Sequence, residues 1–358
     1  MNELEKARKE IEAIDSQMAS LYEQRMDAVK HVISYKMENN LPVYDKQREE
    51  KLIEKNRKYI KNPDYELYYV DFLKHVMENS KDFQRSLQSQ DIVAYCGIKG
   101  AFAHMTCEKL FPQSHTMGLS SFEDVFDAVV QKRAQYGVIP FENTNSGLVG
   151  EVLDALNSYP VYILGAYNLK VEQCLLGLPE ATLKDVEWVY SKDQALSQAK
   201  VFLQELNVKT VAYPNTALAA QYVALEKDIH KAAIGAKENA AFYGLKVLAT
   251  HIEENNQNTT RFMVIGLEPS SQGDRFSLCL VIEHKAGSLA QIIDIIGKHG
   301  LNMQCIQSRP IKGRPFEYFF FIEFDGNLED ENVQHCLKEI KTICERVKVL
   351  GNYTLKED

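Results

Sequence analysis

The sequence predicts a protein of several domains: an all-α segment first, then an α/β segment, and an α+β segment at the end. Three observations support this prediction. Residues 2–38 contain no glycine or proline and repeat apolar residues every three or four positions, as a helix packed along one face does. Strand-like and helix-like stretches alternate between residues 91 and 268. Residues 275–353 follow the order β-α-β-β-α-β, and a chain of 358 residues has room for two or three domains.

The composition argues against several classes of protein. Apolar residues make up 45% and charged residues 25% of the chain, as in soluble globular proteins. The net charge of −9 argues against a nucleic-acid partner, and the lack of a long apolar stretch argues against a membrane span. The first ten residues are charged, unlike those of a secretory signal peptide. None of the seven cysteines forms a C-x-x-C pair, so we expect reduced thiols in a cytoplasmic protein without zinc or disulfides.

The first predicted helix is long enough to need a partner. Its apolar face comprises Leu4, Ala7, Ile11, Ile14, Met18, Leu21, Val29 and Val32. At 1.5 Å per residue the helix spans roughly 55 Å, which exceeds the width of a small domain. We therefore expect it to pack against a second chain or within a long antiparallel bundle. Pro42 and the stretch ENNL before it are expected to end the helix.

Polar residues interrupt the apolar faces of the three helices predicted in the N-terminal segment. Arg25 and Lys36 fall in the apolar repeat of the first helix, and Arg8 lies beside it. The second helix follows Asp45, a predicted N-cap. The polar positions on the inner faces of the second and third helices are Arg48, Glu49, Ser80 and Gln84. Internal salt bridges are the simplest explanation, but the cations outnumber the carboxylates, so a ligand with two negative charges would balance them.

Residues 1–88 resemble the all-helical chorismate mutase domain, in which two chains exchange their long first helices. The matching motif positions are Arg8, Arg25, Lys36, Asp45, Arg48, Glu49, Ser80 and Gln84. The resemblance implies rearrangement of chorismate to prephenate without covalent catalysis. Arg8 from the partner chain, Arg25 and Arg48 would hold the two substrate carboxylates, and the other matched positions would complete the binding set. Lys36 and Gln84 would donate to the ether oxygen, where negative charge develops.

In the middle segment, polar clusters lie where predicted strands give way to helices. The clusters contain Glu142, Asn143, Thr144, Ser146, Ser191 and Thr216. Exposed amides at helix N-termini bind anions, although capping of the helices alone explains each cluster. The stretch GIKGAFAH (97–104) lacks the G-x-G-x-x-G order, so a dinucleotide site is not expected.

Residues 91–268 resemble the prephenate dehydratase domain through five motifs. These are GIKGAFAH (97–104), GVIPFENTNSG (137–147), DQALSQ (193–198), NTALAA (215–220) and NTTRF (258–262). The resemblance implies two α/β subdomains, similar to those of periplasmic binding proteins, with a site in the cleft between them that needs no cofactor. Lys192-Asp193 stands where the family usually has His-Pro, which alters one wall of the expected pocket.

The same resemblance implies that prephenate is converted to phenylpyruvate with loss of CO2 and of the ring hydroxyl. Thr260 would donate to the departing oxygen, and Arg261 would anchor a carboxylate. Asn143 and Gln198 would assist catalysis by orienting the substrate. Further substrate contacts are expected from Ser191, Thr216 and Glu142. Glu142 would also act as an acid if burial raised its pKa.

The C-terminal segment, residues 275–353, resembles the phenylalanine-binding ACT domain of these dehydratases and has the ferredoxin-like element order. The stretches EHKAGSLAQII (283–293) and QSRP (307–310) carry this resemblance. It implies an effector site formed by Gly287, Ser288, Leu289, Gln307, Ser308, Arg309 and Pro310. The family usually has alanine at Ser288 and glutamate at Gln307, so this sequence differs from the family at two positions of the expected effector site. A plain dimerisation module is the alternative.

These observations predict a bifunctional enzyme of phenylalanine biosynthesis with domains at 1–88, 91–268 and 275–353. Its substrates would be chorismate and prephenate, and phenylalanine its inhibitor. We expect no cofactor or metal, and at least a homodimer. Two alternatives stay open: a non-catalytic sensor of prephenate or phenylalanine, and an enzyme with only one activity intact. A sensor would need the N-terminal arginines but no hydroxyl such as Thr260 beside the departing group.

Overall fold

The computed structural model describes residues 2–39, 41, 44–88, 91–254 and 258–357. Pro42, expected to end the first helix, lies outside the described residues. Residues 255–257 lie outside them as well, and their polar sequence, NNQ, predicts a loop. The chain divides into two compact units, one ending at Gln90 and one beginning at Asp91. No helix among the described residues is both long and apolar enough to cross a membrane.

The N-terminal unit consists of α1 (Glu3–Glu38), α2 (Lys46–Arg57) and α3 (Pro63–Gln88). Helix α1 starts at a capping box formed by Asn2 and Glu5, and Asp45 caps α2 as predicted. Both α1 and α2 pack on α3. Ile33 and Met77 are buried, in α1 and α3 respectively. The small core of this unit therefore lies along α3.

The N-terminal half of α1 carries an apolar face that the chain leaves exposed. The large apolar side chains on this face keep between 44% and 63% of their surface accessible to solvent. They are Leu4, Ile11, Ile14, Met18 and Leu21. The spacing of these residues is that of a helix packed along one side. Exposed apolar surface of this extent marks a site of association.

Strands and helices alternate from Asp91 to Gly266. The strands are β1 (Ile92–Cys96), β2 (His115–Leu119), β3 (Tyr136–Asn143), β4 (Gly147–Leu148), β5 (Tyr162–Lys170), β6 (Cys174–Gly177), β7 (Trp188–Ser191), β8 (Lys209–Ala212), β9 (Lys231–Gly235), β10 (Lys246–Ala249) and β11 (Thr259–Gly266). The helices are α4 (Phe102–Leu110), α5 (Phe122–Val130), α6 (Gly150–Ser158), α7 (Asp193–Gln198), α8 (Lys200–Leu206), α9 (Thr216–Glu226) and α10 (Glu238–Tyr243).

These strands form two sheets, so the segment has two α/β subdomains. The first sheet contains the order β5-β11-β3-β1-β2 with β4 beside β3, and the second has the order β10-β6-β9-β7-β8. The chain crosses between the sheets twice, after β5 and again after β10. The crossings are joined by hydrogen bonds, since Val171 N donates to Asn258 O at 2.8 Å and Ile252 N donates to Gln173 O at 3.3 Å.

The C-terminal segment packs against the first subdomain. Its elements are β12 (Arg275–Ile282), α11 (Ser288–Lys298), β13 (Met303–Pro310), β14 (Tyr318–Asp325), α12 (Glu331–Ile343) and β15 (Cys344–Tyr353). They form an antiparallel sheet in the order β13-β14-β12-β15. The last strand, β16 (Leu355–Glu357), pairs in parallel with β5 of the first sheet. Phe141 and Phe321, with ring centroids 5.2 Å apart, belong to a core shared by the two parts.

Most of the predicted elements are present, and the differences have local causes. The sequence pattern predicts a single helix over residues 192–206, but the structure divides this segment at Ala199 into α7 and α8. The pattern also predicts a helix over residues 147–157, but this helix begins at Gly150, because residues 147–148 pair with β3. Strands β2, β4, β6, β10 and β16 were not predicted. Each is two to five residues long, so its place depends on the strand beside it more than on its own sequence.

Candidate active sites

In the N-terminal unit, Lys36, Asp45 and Arg48 line one cavity of about 770 Å³. Tyr35 and Tyr44 form part of its apolar wall. Burial lowers the pKa of Lys36, and the charge of Arg48 lowers it further, whereas nearby carboxylates act in the opposite direction. A cavity with two close cations favours an anionic ligand.

Arg25, Ser80 and Gln84 meet where α1 packs on α3. The guanidinium of Arg25 donates to the Ser80 hydroxyl and, at 3.5 Å, to Val76 O. Burial lowers the pKa of Arg25. Gln84 Nε2 donates to Ser80 O at 3.2 Å, and its buried Oε1 has no partner among the described residues. Gln84 thus keeps hydrogen-bonding capacity that a ligand can satisfy.

Glu49 is paired with a cation that the sequence analysis missed. Lys81 Nζ lies 3.1 Å from Glu49 Oε1 and 2.7 Å from Glu78 Oε2, and 5.0 Å from the centroid of the Tyr44 ring. The signal that could have identified Lys81 is its position four residues after Met77, which places it near the buried face of α3. Lys81 therefore fixes the position of the Glu49 carboxylate.

Arg8 is not brought to the Lys36 cavity by its own chain. It is exposed on the N-terminal half of α1. Along one continuous helix, it lies roughly 42 Å from Lys36. The predicted mutase set is therefore incomplete within a single chain.

A cleft of about 660 Å³ lies between the two α/β subdomains. The polar residues that line it are Glu142, Asn143, Ser146, Glu151, Gln173, Lys192, Gln194, Gln198, Asn215, Thr216, Asn258 and Thr260, with Ser120 at its edge. Five predicted site residues are therefore brought together here: Glu142, Asn143, Gln198, Thr216 and Thr260.

Hydrogen bonds link side chains across this cleft. Asn143 Nδ2 donates to Thr260 Oγ1 at 2.9 Å and to Asn258 Oδ1 at 2.8 Å. Asn258 Nδ2 donates in turn to Gln198 Oε1 at 3.1 Å. Asn258 was not predicted as a site residue. Its signal is the strand period of two, because Asn258, Thr260 and Phe262 all line the cleft.

Arg261 does not line the cleft, which corrects the expectation that it anchors a substrate carboxylate. Alternate residues of a strand face opposite ways, so Arg261 points away from the side that carries Thr260. Its Nη1 lies 3.1 Å from Glu323 Oε2 and 3.5 Å from Glu142 Oε2, and its Nε donates to Asn168 Oδ1 at 3.4 Å. Arg261 therefore ties β11 to β14 of the C-terminal segment.

Ser191 is likewise directed away from the cleft. Its side chain is fully buried, and its hydroxyl donates to Ile234 O at 2.8 Å, joining β7 to β9. Ser191 is absent from the described residues that line the cleft. The structure thus gives Ser191 a role in the second sheet in place of the predicted substrate contact.

The cleft contains groups other than Arg261 that can bind an anion, beside the carboxylates of Glu142 and Glu151. The residues before α4 and α6 are Ala101 and Val149, whose side chains cannot cap a helix, and both line the cleft. The positive ends of two helix dipoles therefore border it. Lys192 is the one lysine or arginine among the described lining residues. The substitution noted at Lys192-Asp193 thus supplies a cation to the pocket wall.

The predicted effector residues fall in two stretches of the C-terminal segment. Gly287, with φ of +87°, precedes α11, whose first residues are Ser288 and Leu289. The other stretch is the edge strand β13, which contains Gln307, Ser308, Arg309 and Pro310. Arg309 is engaged within the chain, since its Nε and Nη2 donate to the two carboxylate oxygens of Asp154 at 3.0 and 2.8 Å.

Two family descriptions match the chain in its two units. Chorismate mutase type II matches residues 7–85, and prephenate dehydratase matches residues 93–270. The bifunctional chorismate mutase/prephenate dehydratase of Aquifex aeolicus (strain VF5) is 34% identical over 360 residues, which cover 99% of this chain and 98% of that protein. The chain belongs to this bifunctional family.

Bifunctional chorismate mutase/prephenate dehydratases carry two catalytic domains, and both are present in this chain. Prephenate dehydratase of Arthrobacter aurescens in complex with L-Phe has a TM-score of 0.68 and 25% identity, covering 74% of this chain and 89% of that one. A protein described as a novel type of quorum quenching acylase has a TM-score of 0.69 and 26% identity, covering 73% and 97%. The helical mutase domain and the two-subdomain dehydratase domain are thus confirmed, and the chain is an enzyme.

Proposed function

We propose that the chain catalyses two consecutive steps of phenylalanine biosynthesis, from chorismate to prephenate and from prephenate to phenylpyruvate. One observation carries this proposal: a member of the bifunctional family holds a cation-lined cavity in its helical unit and a donor hydroxyl, that of Thr260, in a separate cleft. Both substrates are dianions, so Lys36 and Arg48 in the first site and Lys192 in the second are suited to bind their carboxylates.

The mutase reaction requires a substrate folded into its reactive shape and a donor beside the breaking C–O bond. We assign the substrate carboxylates to Arg25, Arg48 and Arg8 from a second chain. Lys36 donates to the ether oxygen, and its burial makes that donation stronger than it would be in water. Gln84 has a second N–H beside the one that donates to Ser80 O, and this hydrogen serves the same oxygen.

Asp45 acts on the mutase site through the backbone. Its Oδ1 accepts from Arg48 N at 3.0 Å as the N-cap of α2. This bond fixes the start of the helix from which the Arg48 side chain extends. Asp45 is therefore a positioning residue in this proposal.

The dehydratase reaction breaks the bond between the ring and its carboxylate, which leaves as CO2. The electron pair moves into the ring and expels the ring hydroxyl as hydroxide, which gives an aromatic product. Thr260 donates to the departing oxygen, because its own Oγ1 already accepts from Asn143 and its hydrogen is therefore available.

The second carboxylate of prephenate remains in the product and is the one to anchor. We assign it to Lys192 and to the helix starts at Ala101 and Val149, which line the same cleft. Equally strong binding of the carboxylate that leaves would stabilise the ground state and slow its loss. One lysine and two helix N-termini can hold the carboxylate that is retained without binding the departing carboxylate equally strongly.

We also propose that the chain functions as a dimer or higher oligomer. The exposed apolar face of α1 supports this, and Arg8 lies on the same half of the helix. A second copy of α1 would cover that face, and an exchange of first helices would bring its Arg8 to the cavity that holds Lys36.

We further propose that residues 275–353 form a ferredoxin-like ACT domain through which phenylalanine inhibits the dehydratase. The β-α-β-β-α-β order supports this, as does the name of the related Arthrobacter structure, which includes L-Phe. Contacts from this segment to the dehydratase include the ion pairs of Arg309 with Asp154 and of Glu323 with Arg261. The proposed domains are therefore residues 1–88 for the mutase, 91–268 for the dehydratase and 275–353 for the ACT domain.

Assays with chorismate and with prephenate test the two assignments separately. Thr260→Ala is expected to lower kcat for prephenate by about 100-fold or more, because one donor to a developing anion is lost. Prephenate then accumulates when chorismate is supplied. Lys36→Ala has the reverse effect and leaves the dehydration of added prephenate intact. Thr259→Val is the matched control, because Thr259 is the neighbouring threonine of β11 and lies outside the described cleft lining.

Two results would contradict the proposal. Equal loss of both activities in Thr260→Ala would mean that one site performs both reactions. Full dehydratase activity in the same variant would mean that another group assists the departing hydroxyl.

A further inference from the structure

Two backbone N–H groups fix the orientation of the amide network in the dehydratase cleft. Asn145 N and Ser146 N lie 3.0 and 3.3 Å from Asn143 Oδ1, and a backbone amide can only donate. On the other side, Asn143 Nδ2 lies 3.2 Å from Thr259 O, which can only accept. The Asn143 side chain is therefore held with its oxygen toward these N–H groups and its nitrogen toward β11.

The orientation of the Asn143 side chain fixes that of Asn258, and Asn258 in turn fixes that of Gln198. The atom of Asn258 that faces Asn143 Nδ2 at 2.8 Å must be its oxygen, so Asn258 Nδ2 faces Gln198. The atom of Gln198 that accepts from Asn258 at 3.1 Å must be Oε1. Gln198 Nε2 is consequently turned away from Asn258. It is buried and has no partner among the described residues, as expected for a donor that awaits an acceptor.

The position of Asn258 in the fold allows it to maintain these amide orientations. It lies in the second crossing between the subdomains and is 3% exposed, and its carbonyl accepts from Val171 N of the first crossing at 2.8 Å. Its side chain joins Asn143 of the first subdomain to Gln198 of the second. Without Asn258, the Gln198 amide loses the contact that decides which of its two ends points to the substrate.

We propose that Asn258 is a positioning residue of the dehydratase reaction, which transmits the orientation of Asn143 to Gln198 so that Gln198 presents its N–H to prephenate. This inference rests on the proposed dehydratase function and deepens it. Thr260 and Gln198 then both donate into the cleft, and both donations strengthen as negative charge leaves with the hydroxyl.

The pH dependence of Asn258→Asp tests the proposal. At about pH 7.5 the carboxylate only accepts, so the Gln198 amide turns its N–H toward Asp and presents an oxygen to the substrate. We expect kcat/KM for prephenate to fall by about 100-fold. As the pH is lowered toward about 5, protonation restores an O–H donor to Gln198, and activity is expected to recover, since burial raises the pKa of a carboxyl group.

Three comparisons make this result specific. Wild type must convert prephenate, which tests the proposed function independently of Asn258. Asn258→Ala has no group to protonate and is expected to show low activity without recovery on acidification. Asn207→Asp, in the exposed left-handed position after α8, adds the same charge elsewhere and is expected to follow the wild-type profile. All rates are taken after subtraction of the rate without enzyme.

Recovery on acidification confined to Asn258→Asp supports the proposal. A profile of Asn258→Asp parallel to that of wild type overturns it, as does full activity of Asn258→Ala. If Asn258→Asp does not fold by circular dichroism, the double-mutant cycle of Asn258→Ala with Gln198→Met decides. Coupling of about 10-fold or more supports action through Gln198, and simple additivity overturns it.

Discussion

His104 lies where the two α/β subdomains meet, and it is 2% exposed. Its ring is 5.2 Å from that of Tyr95 in the first subdomain and 5.6 Å from that of Phe242 in the second. Gly100 N donates to His104 Nδ1 at 3.3 Å, which requires the neutral ring. Burial lowers the pKa of His104 below its usual 6.5, although the nearby Glu108 opposes this effect.

We predict that His104 makes the subdomain contact sensitive to acid. The unfolded chain takes up a proton near pH 6.5 and the folded chain does so only at lower pH, so stability is lost as the pH falls below 6.5. Thermal denaturation of wild type and His104→Gln at about pH 7.5 and about pH 5.5 checks this. The variant is expected to lose less stability on acidification. His335→Gln, at an exposed position, should behave as wild type, and equal losses in all three proteins would refute the assignment.

Helix α6 links the C-terminal segment to the cleft. The carboxylate of Asp154 accepts two hydrogen bonds from Arg309 of β13. At the other end of the helix, Lys348 of β15 donates to the carbonyls of Leu156 and Tyr159. Cations at a helix C-terminus stabilise its last carbonyls. Since the start of α6 lines the cleft, we predict that a shift of β13 or β15 would also move the residues of α6 that line the substrate site.

Asp154→Asn is expected to weaken the proposed inhibition of the dehydratase by phenylalanine by about 10-fold, while phenylalanine still binds. The amide removes the charge that holds Arg309, so the C-terminal segment loses its contact with α6 through β13, while the contacts of Lys348 remain. Titration calorimetry measures binding, the inhibition curve measures coupling, and mutase activity serves as the control. If Arg309 contacted phenylalanine directly, Arg309→Ala would abolish binding and Asp154→Asn would leave inhibition unchanged.

At the scale of the whole molecule, we predict that the mutase site includes a residue of a second chain. Arg25 contacts Ser80 of its own chain, whereas Arg8 lies roughly 42 Å from Lys36 on the same helix. The exposed apolar face of α1 lies on the same half as Arg8. A dimer with exchanged first helices would bury the exposed apolar face of α1. It would also bring Arg8 of one chain to the site that holds Lys36 of the other.

Mixed dimers of inactive variants test this arrangement. We expect Arg8→Ala and Lys36→Ala chains, unfolded and refolded together, to regain about one quarter of the wild-type mutase sites. Half of the dimers are then mixed, and each mixed dimer has one site with both residues intact. Arg25→Ala mixed with Lys36→Ala should show no recovery, because both residues belong to the same side of the site. Recovery in this control would mean that Arg25 also acts across the dimer.

Much of the site was predictable because its residues stand at recognisable local positions. Asn143 follows a strand, Gln198 belongs to the helix that begins after β7, and Thr216 opens α9. Such positions converge in α/β folds. Lys81 and Asn258 were not identified, because each acts through a partner far away in the chain: Glu49 for Lys81, Asn143 and Gln198 for Asn258.

The sequence by itself determined the features that depend on near neighbours: the caps at Asn2 and Asp45, the length of α1 and the polar motifs at the ends of strands. Only the tertiary structure decided that Thr260 faces the cleft and Arg261 faces Glu323. Strand β11 lies between β3 and β5 and is largely buried on both faces, so its sequence has no apolar–polar alternation that distinguishes them. The direction of each side chain then depends on partners such as Glu323, 62 residues away from Arg261.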